Sequence, residues 1–212
     1  MKVPSSRSLL VTTIAALALV LFLSVAAAPP RQQAAPATSA ETVLTLDPAQ
    51  SKVRFTVDTT LHTVHGTFNL KSGNVHFDPE TGKASGEIIV FATSGESGSD
   101  GRDARMHGEI LESAKFPDAV FHPTQVEGKV SPSGTYDVKL HGTLNLHGTD
   151  HDLTALVHAE LAGDHWKGTA KFEVPHVAWG IKDPSNFFLK VKHVANLELE
   201  MSGTMQAPTA NP

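Results

Sequence analysis

Between residues 43 and 201, apolar side chains recur at every second position in a series of short segments. The clearest segment runs from Tyr136 to His147, where Val138, Leu140 and Leu144 alternate with polar residues. This period of two is typical of antiparallel strands that bury one face. Turn signals rich in Gly, Pro, Asp and Asn separate about eight or nine such segments. The pattern predicts a closed barrel or a sandwich rather than a parallel sheet.

Two segments interrupt this alternation. The segment from Arg102 to Glu112 places Met106 and Ile110 on one side at helical spacing, which predicts a short helix beside one opening of the barrel. The segment from Trp179 to Phe188 contains Pro, Asp and three large aromatic residues. It is too apolar for an ordinary surface loop, so we expect it to form a hydrophobic rim or lid.

The composition narrows the classes of function. The chain has 212 residues, with Lys+Arg 17, Asp+Glu 22, no Cys and a formal net charge of -5. This negative charge argues against binding of a nucleic acid or an anionic membrane through a basic face. The lack of Cys excludes disulfides, a thiol nucleophile and a zinc site built on thiolates. The length fits one domain with an ordinary hydrophobic core.

The first 28 residues have the order of a secretory signal peptide. Lys2 and Arg7 precede an apolar run over residues 9–25, and three alanines follow it. Because the run is long for a signal core, an uncleaved membrane anchor is the alternative. Residues 29–41 are expected to form a disordered linker and residues 205–212 a disordered tail. The domain at 42–204 is therefore expected in the periplasm or outside the cell, with membrane contact only through the anchor.

Several ordered blocks lie within residues 42–204: Leu46-Asp47-Pro48, Ser51-Lys52-Val53 with Phe55, Val64-His65-Gly66-Thr67-Phe68, Gly73 with Val75-His76-Phe77-Asp78-Pro79, Arg102-Asp103, Phe116-Pro117 with Phe121, Gly142-Thr143-Leu144 and Leu146-His147-Gly148. Together they resemble the YceI-like family of extracytoplasmic, lipocalin-like isoprenoid-binding proteins. The resemblance implies an all-β fold, an antiparallel eight-stranded lipocalin-like barrel with a short helical segment. It also implies an elongated hydrophobic cavity for a polyisoprenoid or similar lipid. The chain departs from the family pattern at residues 176–180, where many members carry a basic residue and an acid before the glycine.

Inward parity, taken with this resemblance, selects the residues expected to line the cavity. Small residues share that parity and favour an unfilled channel: Gly66, Gly142, Ala155, Ala159, Gly168, Ala170 and Ala195. The alternative is that they accommodate neighbouring Phe and Trp rings in a solid core. A last strand read from Leu189 to Met201 puts His193 inside, where it is a candidate partner for a ligand headgroup. The predicted ligand-binding residues are the inward Phe55, Val57, Phe68, Phe77, Leu140, Leu144, Phe172 and His193, together with Met106 on the helix and Trp179 and Phe188 at a rim.

The predicted function is extracytoplasmic binding, storage or transport of a long-chain isoprenoid lipid or a quinone, without catalysis, cofactor or metal. The sequence contains no Gly-x-Ser-x-Gly, no phosphate-binding glycine loop and no His-Glu-x-x-His. We interpret Arg102 and Asp103 as a helix cap and ion pair rather than as acid and base.

Two other readings of the sequence stay open. The 12 histidines, mostly of outward parity, suggest a metal-handling or stress-related protein-interaction module. The second reading is a solid barrel that binds other proteins through its aromatic loop. An exposed aromatic loop would also suit a homodimer.

Overall fold

The computed structural model describes residues 41–131 and 133–206. The predicted signal peptide, nearly all of the linker and most of the tail lie outside these residues. No helix within them is long and apolar enough to cross a bilayer. A short helix α1, Asp100–Arg105, runs into a π-helical turn, Met106–Ile110. The strands are β1 Thr42–Leu46, β2 Lys52–Asp58, β3 Thr63–Phe77, β4 Ala84–Glu96, β5 Asp118–Glu127, β6 Gly134–Leu146, β7 Thr149–Ala162, β8 His165–Val174 and β9 Ala195–Gln206.

The strands form one antiparallel sheet that closes on itself. Its order is β3-β2-β9-β8-β7-β6-β5-β4, and β4 pairs back onto β3. β1 and β2 share one place in the wall, because β2 pairs with the first halves of β3 and β9 while β1 pairs with their second halves. The wall is therefore eight strands wide, and the predicted antiparallel barrel with one short helix is confirmed.

β3 changes parity part-way along its length. Leu70 and Val75 are both buried, although residues five positions apart on a regular strand point to opposite faces. The pairing of β3 with β4 shifts between Leu70 and Ser72, which marks a β-bulge. An extra residue at a bulge exchanges the two faces of the strand, so Val75 and Phe77 turn inward beyond it.

One end of the barrel is a solid core. Leu46, Leu161, Trp166 and Met205 are buried there and belong to the main hydrophobic cluster. Gly168 on β8 lies under the Trp166 ring, whose nearest atom would be 3.3 Å from an added Cβ. Gly168 therefore accommodates an aromatic ring, as expected at this position if the core is solid.

The other end, here called the helix end, is covered by residues 97–117 and 175–194. α1 begins at Asp100, two residues before the predicted start at Arg102, and gives way to the π-helical turn at Met106. β9 begins at Ala195, so the strand predicted from Leu189 is wrong over residues 189–194. Only Val191 in that stretch makes a β-bridge, to Thr59. The irregular path of residues 189–194 takes His193 off the inward face.

Candidate functional site

A cavity of about 490 Å³ occupies the part of the barrel next to the helix end. Inward side chains of β2 to β9 form its wall, and Met106, Ile110, Ile181 and Leu189 cover it from the helix end. The lining consists mainly of aliphatic and aromatic side chains. Its volume lies within the range of about 300–1,000 Å³ that is usual for small-molecule sites. A cavity of this character suits an apolar ligand.

Alanines rather than glycines leave this space open. Ala155, Ala170 and Ala195 all face the cavity. Gly66 does not contribute room, because the Phe55 ring packs against its Cα. Ala159 pairs with Gly168 on the next strand, and neither residue belongs to the lining. The cavity therefore ends before it reaches Ala159 and Gly168, although the alternation pattern alone predicts that both residues line it.

The polar residues of the lining are gathered at the helix end. They are Thr59, His62, Arg102, Arg105 and His176. His62 is exposed to solvent, so the cavity reaches the surface there. Because the rest of the wall is apolar, the cavity matches a molecule with a long apolar body and one polar end.

His176 is the most deeply buried polar group of this set. The residue is 8% exposed, and neither ring nitrogen has a hydrogen-bond partner among residues 41–131 and 133–206. Its amide N–H donates to the Val174 carbonyl, and its own carbonyl accepts from the Ile181 N–H at 2.9 Å, which fixes the backbone. Burial lowers the pKa of the His176 imidazole below 6.5, and the nearby His193 lowers it further, against the opposing effects of Asp183 and of the Val174 backbone. The ring is therefore neutral at pH 7.

Arg102 and Asp103 both bind Ser97 rather than each other. Arg102 donates from Nε to the Ser97 hydroxyl and from Nη2 to the Ser97 carbonyl, each at 2.6 Å. Asp103 accepts hydrogen bonds from the Ser97 hydroxyl and amide, and these bonds hold the pKa of its carboxyl below the usual value. The predicted cap is wrong, since the helix N-cap is Ser99 and has no side-chain cap bond. The pair instead fixes the turn that leads into α1.

Arg105 is less firmly held than Arg102. Its Nε lies 3.7 Å from the Glu109 carboxylate, and its side chain is 37% exposed. Glu109 is also bound by Lys182 at 2.8 Å, which is the main reason that the pKa of Glu109 is lowered. The exposed ion pair between Glu109 and Lys182 joins the π-helical turn to the segment 175–194. Exposed ion pairs of this kind contribute little to the free energy of unfolding.

His107 holds the π-helical turn against the barrel. Its Nε2 lies 2.8 Å from the Gly95 carbonyl, which can only accept, so Nε2 carries the proton. Its Nδ1 then accepts from the buried Ser113 hydroxyl at 2.9 Å. Sequence reasoning missed this residue, because one histidine in a short helical stretch gives no signal of its two distant partners.

Seven predicted ligand-binding residues face the cavity: Phe55, Val57, Phe68, Met106, Leu140, Leu144 and Phe172. Their contact with a ligand stays a prediction. His176 also lines the cavity but is not among the predicted residues, because it lies in the turns after β8, where strand periodicity does not apply.

The structure places the other four candidates outside the lining. Phe77 is buried beyond the bulge, opposite Thr42 and Ala84. Trp179 stacks on His151, with ring centroids 4.2 Å apart. Phe188 is 86% exposed. His193 binds Asp183 at 3.2 Å, and its side chain is 59% exposed.

Several outward histidines bind carboxylates. His141 lies 3.0 Å from Glu127, and His158 lies 2.7 Å from Asp137. Within the part of the chain that the structure describes, no group of three or more His, Asp or Glu side chains is placed to hold a metal ion.

Comparison with known proteins gives the family. A family model described as the YceI-like domain matches residues 44–203. The chain belongs to the YceI-like family. A UPF0312 protein of Shewanella sp. strain MR-4 is 28% identical over 169 residues, which cover 78% of this YceI-like chain and 86% of that protein. The resemblance drawn from the ordered sequence blocks is confirmed.

Solved structures share the barrel. Burkholderia cenocepacia BcnA has a TM-score of 0.62 and 18% identity, and the match covers 75% of this chain and 99% of that one. A polyisoprenoid binding domain from Saccharophagus degradans, implicated in plant cell wall breakdown, has a TM-score of 0.55 and 16% identity over 78% and 98% of the two chains. A Campylobacter jejuni YceI protein gives 0.52 and 19% over 66% and 84%. At these identities the likeness shows a common fold.

Proposed function

We propose that this YceI-like protein binds a long-chain polyisoprenoid, or a similar lipid such as a quinone, in its barrel cavity and stores or carries it without chemical change. The observation that carries the proposal is the cavity itself, which is apolar along its length and polar only at the helix end. Transfer of an alkyl chain from water into such a cavity is favourable by about 0.8 kcal/mol per CH₂ group.

Three further points support the proposal. One solved relative in fold is named as a polyisoprenoid binding domain. The lining described here includes no carboxylate, and its two arginines and two histidines are not arranged around a nucleophile. The order of basic residues, apolar run and alanines in the first 28 residues supports an extracytoplasmic site of action.

The test compares two alanine-to-leucine changes on the same strand. Ala155→Leu adds volume inside the cavity, whereas Ala162→Leu adds the same atoms at an exposed position of β7. We expect Ala155→Leu to lower the affinity for geranylgeraniol at least tenfold, or about 1.4 kcal/mol, because the added side chain occupies ligand space. Ala162→Leu should bind like the wild type. Native mass spectrometry of both proteins measures the bound fraction.

Native mass spectrometry of protein purified from its own compartment, followed by organic extraction, identifies the natural ligand. A stoichiometric isoprenoid or quinone is the expected result. Equal geranylgeraniol binding by the folded Ala155→Leu protein, or failure of the wild type to bind any isoprenoid, would overturn the proposal.

A further inference from the structure

The most exposed large apolar side chains of residues 41–131 and 133–206 lie on two neighbouring turns. Leu61 is 76% exposed, Phe187 89% and Phe188 86%. The two turns are joined, because the Thr60 amide donates to the Lys190 carbonyl at 2.9 Å. Turns of this kind usually carry small or polar residues such as Gly, Asn, Asp and Ser. Leu61, Phe187 and Phe188 are here called the mouth patch.

Hydrogen bonds within each turn hold the mouth patch out in water. The Asn186 amide donates to the Leu189 carbonyl at 2.9 Å, which leaves the two phenylalanines as the central residues of their turn. In the other turn, the Thr59 hydroxyl oxygen accepts from the Leu61 amide at 3.2 Å. Contact with a partner that removes this apolar surface from water would therefore be favourable.

The mouth patch borders the opening of the cavity. Thr59 and His62 of the first turn belong to the cavity lining, and so do Leu189 and Val191 beside the second. His62 is exposed, so the cavity reaches solvent at these turns. The same two turns thus carry the exposed apolar side chains and part of the cavity wall.

A positive charge accompanies the mouth patch. Residues 182–193 contain three lysines and one acidic residue, in a chain of formal net charge -5. Two of these lysines are paired, with Glu109 and Asp58, whereas Lys190 is exposed and pairs with no carboxylate of the residues that the structure describes. Exposed Phe and Leu side chains with lysine beside them are typical of segments that lie in the surface of an anionic bilayer.

We propose that the mouth patch inserts into an anionic lipid bilayer, so that the cavity opens toward the membrane. This inference rests on the proposed function only for the lipid that would pass through the mouth. An isoprenoid chain is poorly soluble in water, so a mouth seated in the bilayer lets it enter or leave the cavity without crossing water. The apolar side chains supply most of the attraction and Lys190 adds to it, so no extended basic face is needed.

A second copy of this chain suits the mouth patch less well than a bilayer does. A symmetric dimer uses the same patch twice, so both Lys190 side chains would enter one interface, where like charges repel. Stable protein interfaces also use about 20–30 residues a side, far more than two turns supply. A bilayer needs no such area, and its anionic headgroups attract the lysine.

The experiment places a dye at the mouth patch. Because the chain has no Cys, Leu61→Cys can be labelled at a single position with a nitrobenzoxadiazole dye. The labelled full chain is mixed with vesicles of phosphatidylcholine and phosphatidylglycerol. The dye emission should shift to shorter wavelength, and nitroxides on the lipid acyl chains should quench it. The dye reports on its own position, so attachment through an N-terminal anchor would not produce this result.

Leu156→Cys is the matched control. Leu156 is also an exposed leucine, at 62%, and the residues paired with it on the adjacent strands are Lys139 and Lys171. It lies on the outward face of β7, next to the inward Ala155. A dye at this position should keep the emission that it has in water when vesicles are added.

Two changes separate the apolar contribution from the charge. Phe187→Ser combined with Phe188→Ser should lower the vesicle affinity reported by the Leu61 dye by about tenfold or more, because both rings are lost. Lys190→Gln should lower it about fivefold on anionic vesicles and leave binding to neutral phosphatidylcholine vesicles unchanged. None of these residues lines the cavity, so geranylgeraniol binding in native mass spectrometry should match the wild type.

The outcomes separate this inference from the proposed function. A Leu61 dye that stays in water beside vesicles would overturn the inference, while geranylgeraniol binding by the same protein would leave the proposed function standing. A blue shift that appears without vesicles and grows with protein concentration would assign the patch to a second copy, which also overturns the inference. If the dye enters the bilayer but the protein binds no isoprenoid, membrane docking stands and the proposed function fails.

Discussion

The chemistry of the cavity depends on which histidine faces it. His193 was expected inside from the alternation of a last strand, but residues 189–194 are irregular and its ring binds Asp183 near the surface. His176 takes the inward place from the turns after β8, where no periodicity could indicate its direction. A side chain on a strand can be assigned a face from sequence. The direction of a side chain in a turn depends on the packing of the whole segment.

The buried state of His176 predicts a pH dependence of stability. Because its folded-state pKa is lowered from 6.5, the unfolded chain binds more protons as the pH falls through about 6.5. The free energy of unfolding contributed by this group is thus fully present above that pH and is lost on acidification. We expect His176→Phe to lose less stability than the wild type between about pH 7.5 and about pH 5.5. Urea unfolding at both pH values measures this difference, and equal losses in the two proteins would contradict it.

His107 predicts a loss of stability specific to the helix end. His107→Phe removes both bonds of the ring and leaves the buried Ser113 hydroxyl without its acceptor. The expected loss is about 1–3 kcal/mol of unfolding free energy. His158→Phe is the control, because its exposed bond to Asp137 should contribute within about 0.5 kcal/mol. Chemical denaturation measures the free energy of unfolding of both variants. Equal losses in His107→Phe and His158→Phe would disprove the role assigned to His107.

At the scale of elements, the segments at the helix end complete the cavity. The strands supply the wall, but Met106 and Ile110 reach the lining from the π-helical turn, and Ile181 reaches it from the segment after β8. Such turns are frequent near functional sites, because the extra residue re-aims the side chains that follow. The helical spacing of Met106 and Ile110 in the sequence correctly predicted that both face one side.

The aromatic residues of the loop 179–188 lie outside the cavity lining, although Ile181 of the same loop covers the cavity. Phe188 is exposed and packs edge-on against Phe187, with ring centroids 5.2 Å apart. Phe188→Ser should therefore change the unfolding free energy by less than about 0.5 kcal/mol, with geranylgeraniol affinity unchanged. Phe55→Ala, in the buried wall, should cost about 3–5 kcal/mol. Thermal unfolding with ligand displacement checks both, and a large effect of Phe188→Ser on affinity would place this ring in the site after all.

At the scale of the whole molecule, the barrel divides into a solid part and a hollow part. Trp166, Leu161 and Met205 fill the end opposite the helix. Ala155 and Ala170 leave space in the other part. Rigidity and ligand binding are thus supplied by different side chains of the same strands, since β7 and β8 contribute to both parts.

This division predicts that stability and binding respond separately to mutation. Trp166→Ala should lower the unfolding free energy by about 3–5 kcal/mol, because a large buried ring is removed. Because Trp166 does not belong to the cavity lining, geranylgeraniol affinity should stay within a factor of about two for the folded protein. The check is to measure the free energy of unfolding and the geranylgeraniol affinity of Trp166→Ala at a temperature where this variant is folded. A parallel loss of affinity would show that the cavity extends through the solid end.

The sequence by itself determined the all-β class, the antiparallel strands, the short helical segment and the inward face of most strand residues, including Phe55, Leu140 and Phe172. These features follow from local periodicity, which each strand carries in its own residues. Only the tertiary structure decided where the cavity stops. The β3 bulge, the ring of Phe55 over Gly66 and that of Trp166 beside Gly168 depend on neighbours distant in sequence. The same holds for His176 and Arg105, which face the cavity because separate turns and helices meet at one end of the barrel.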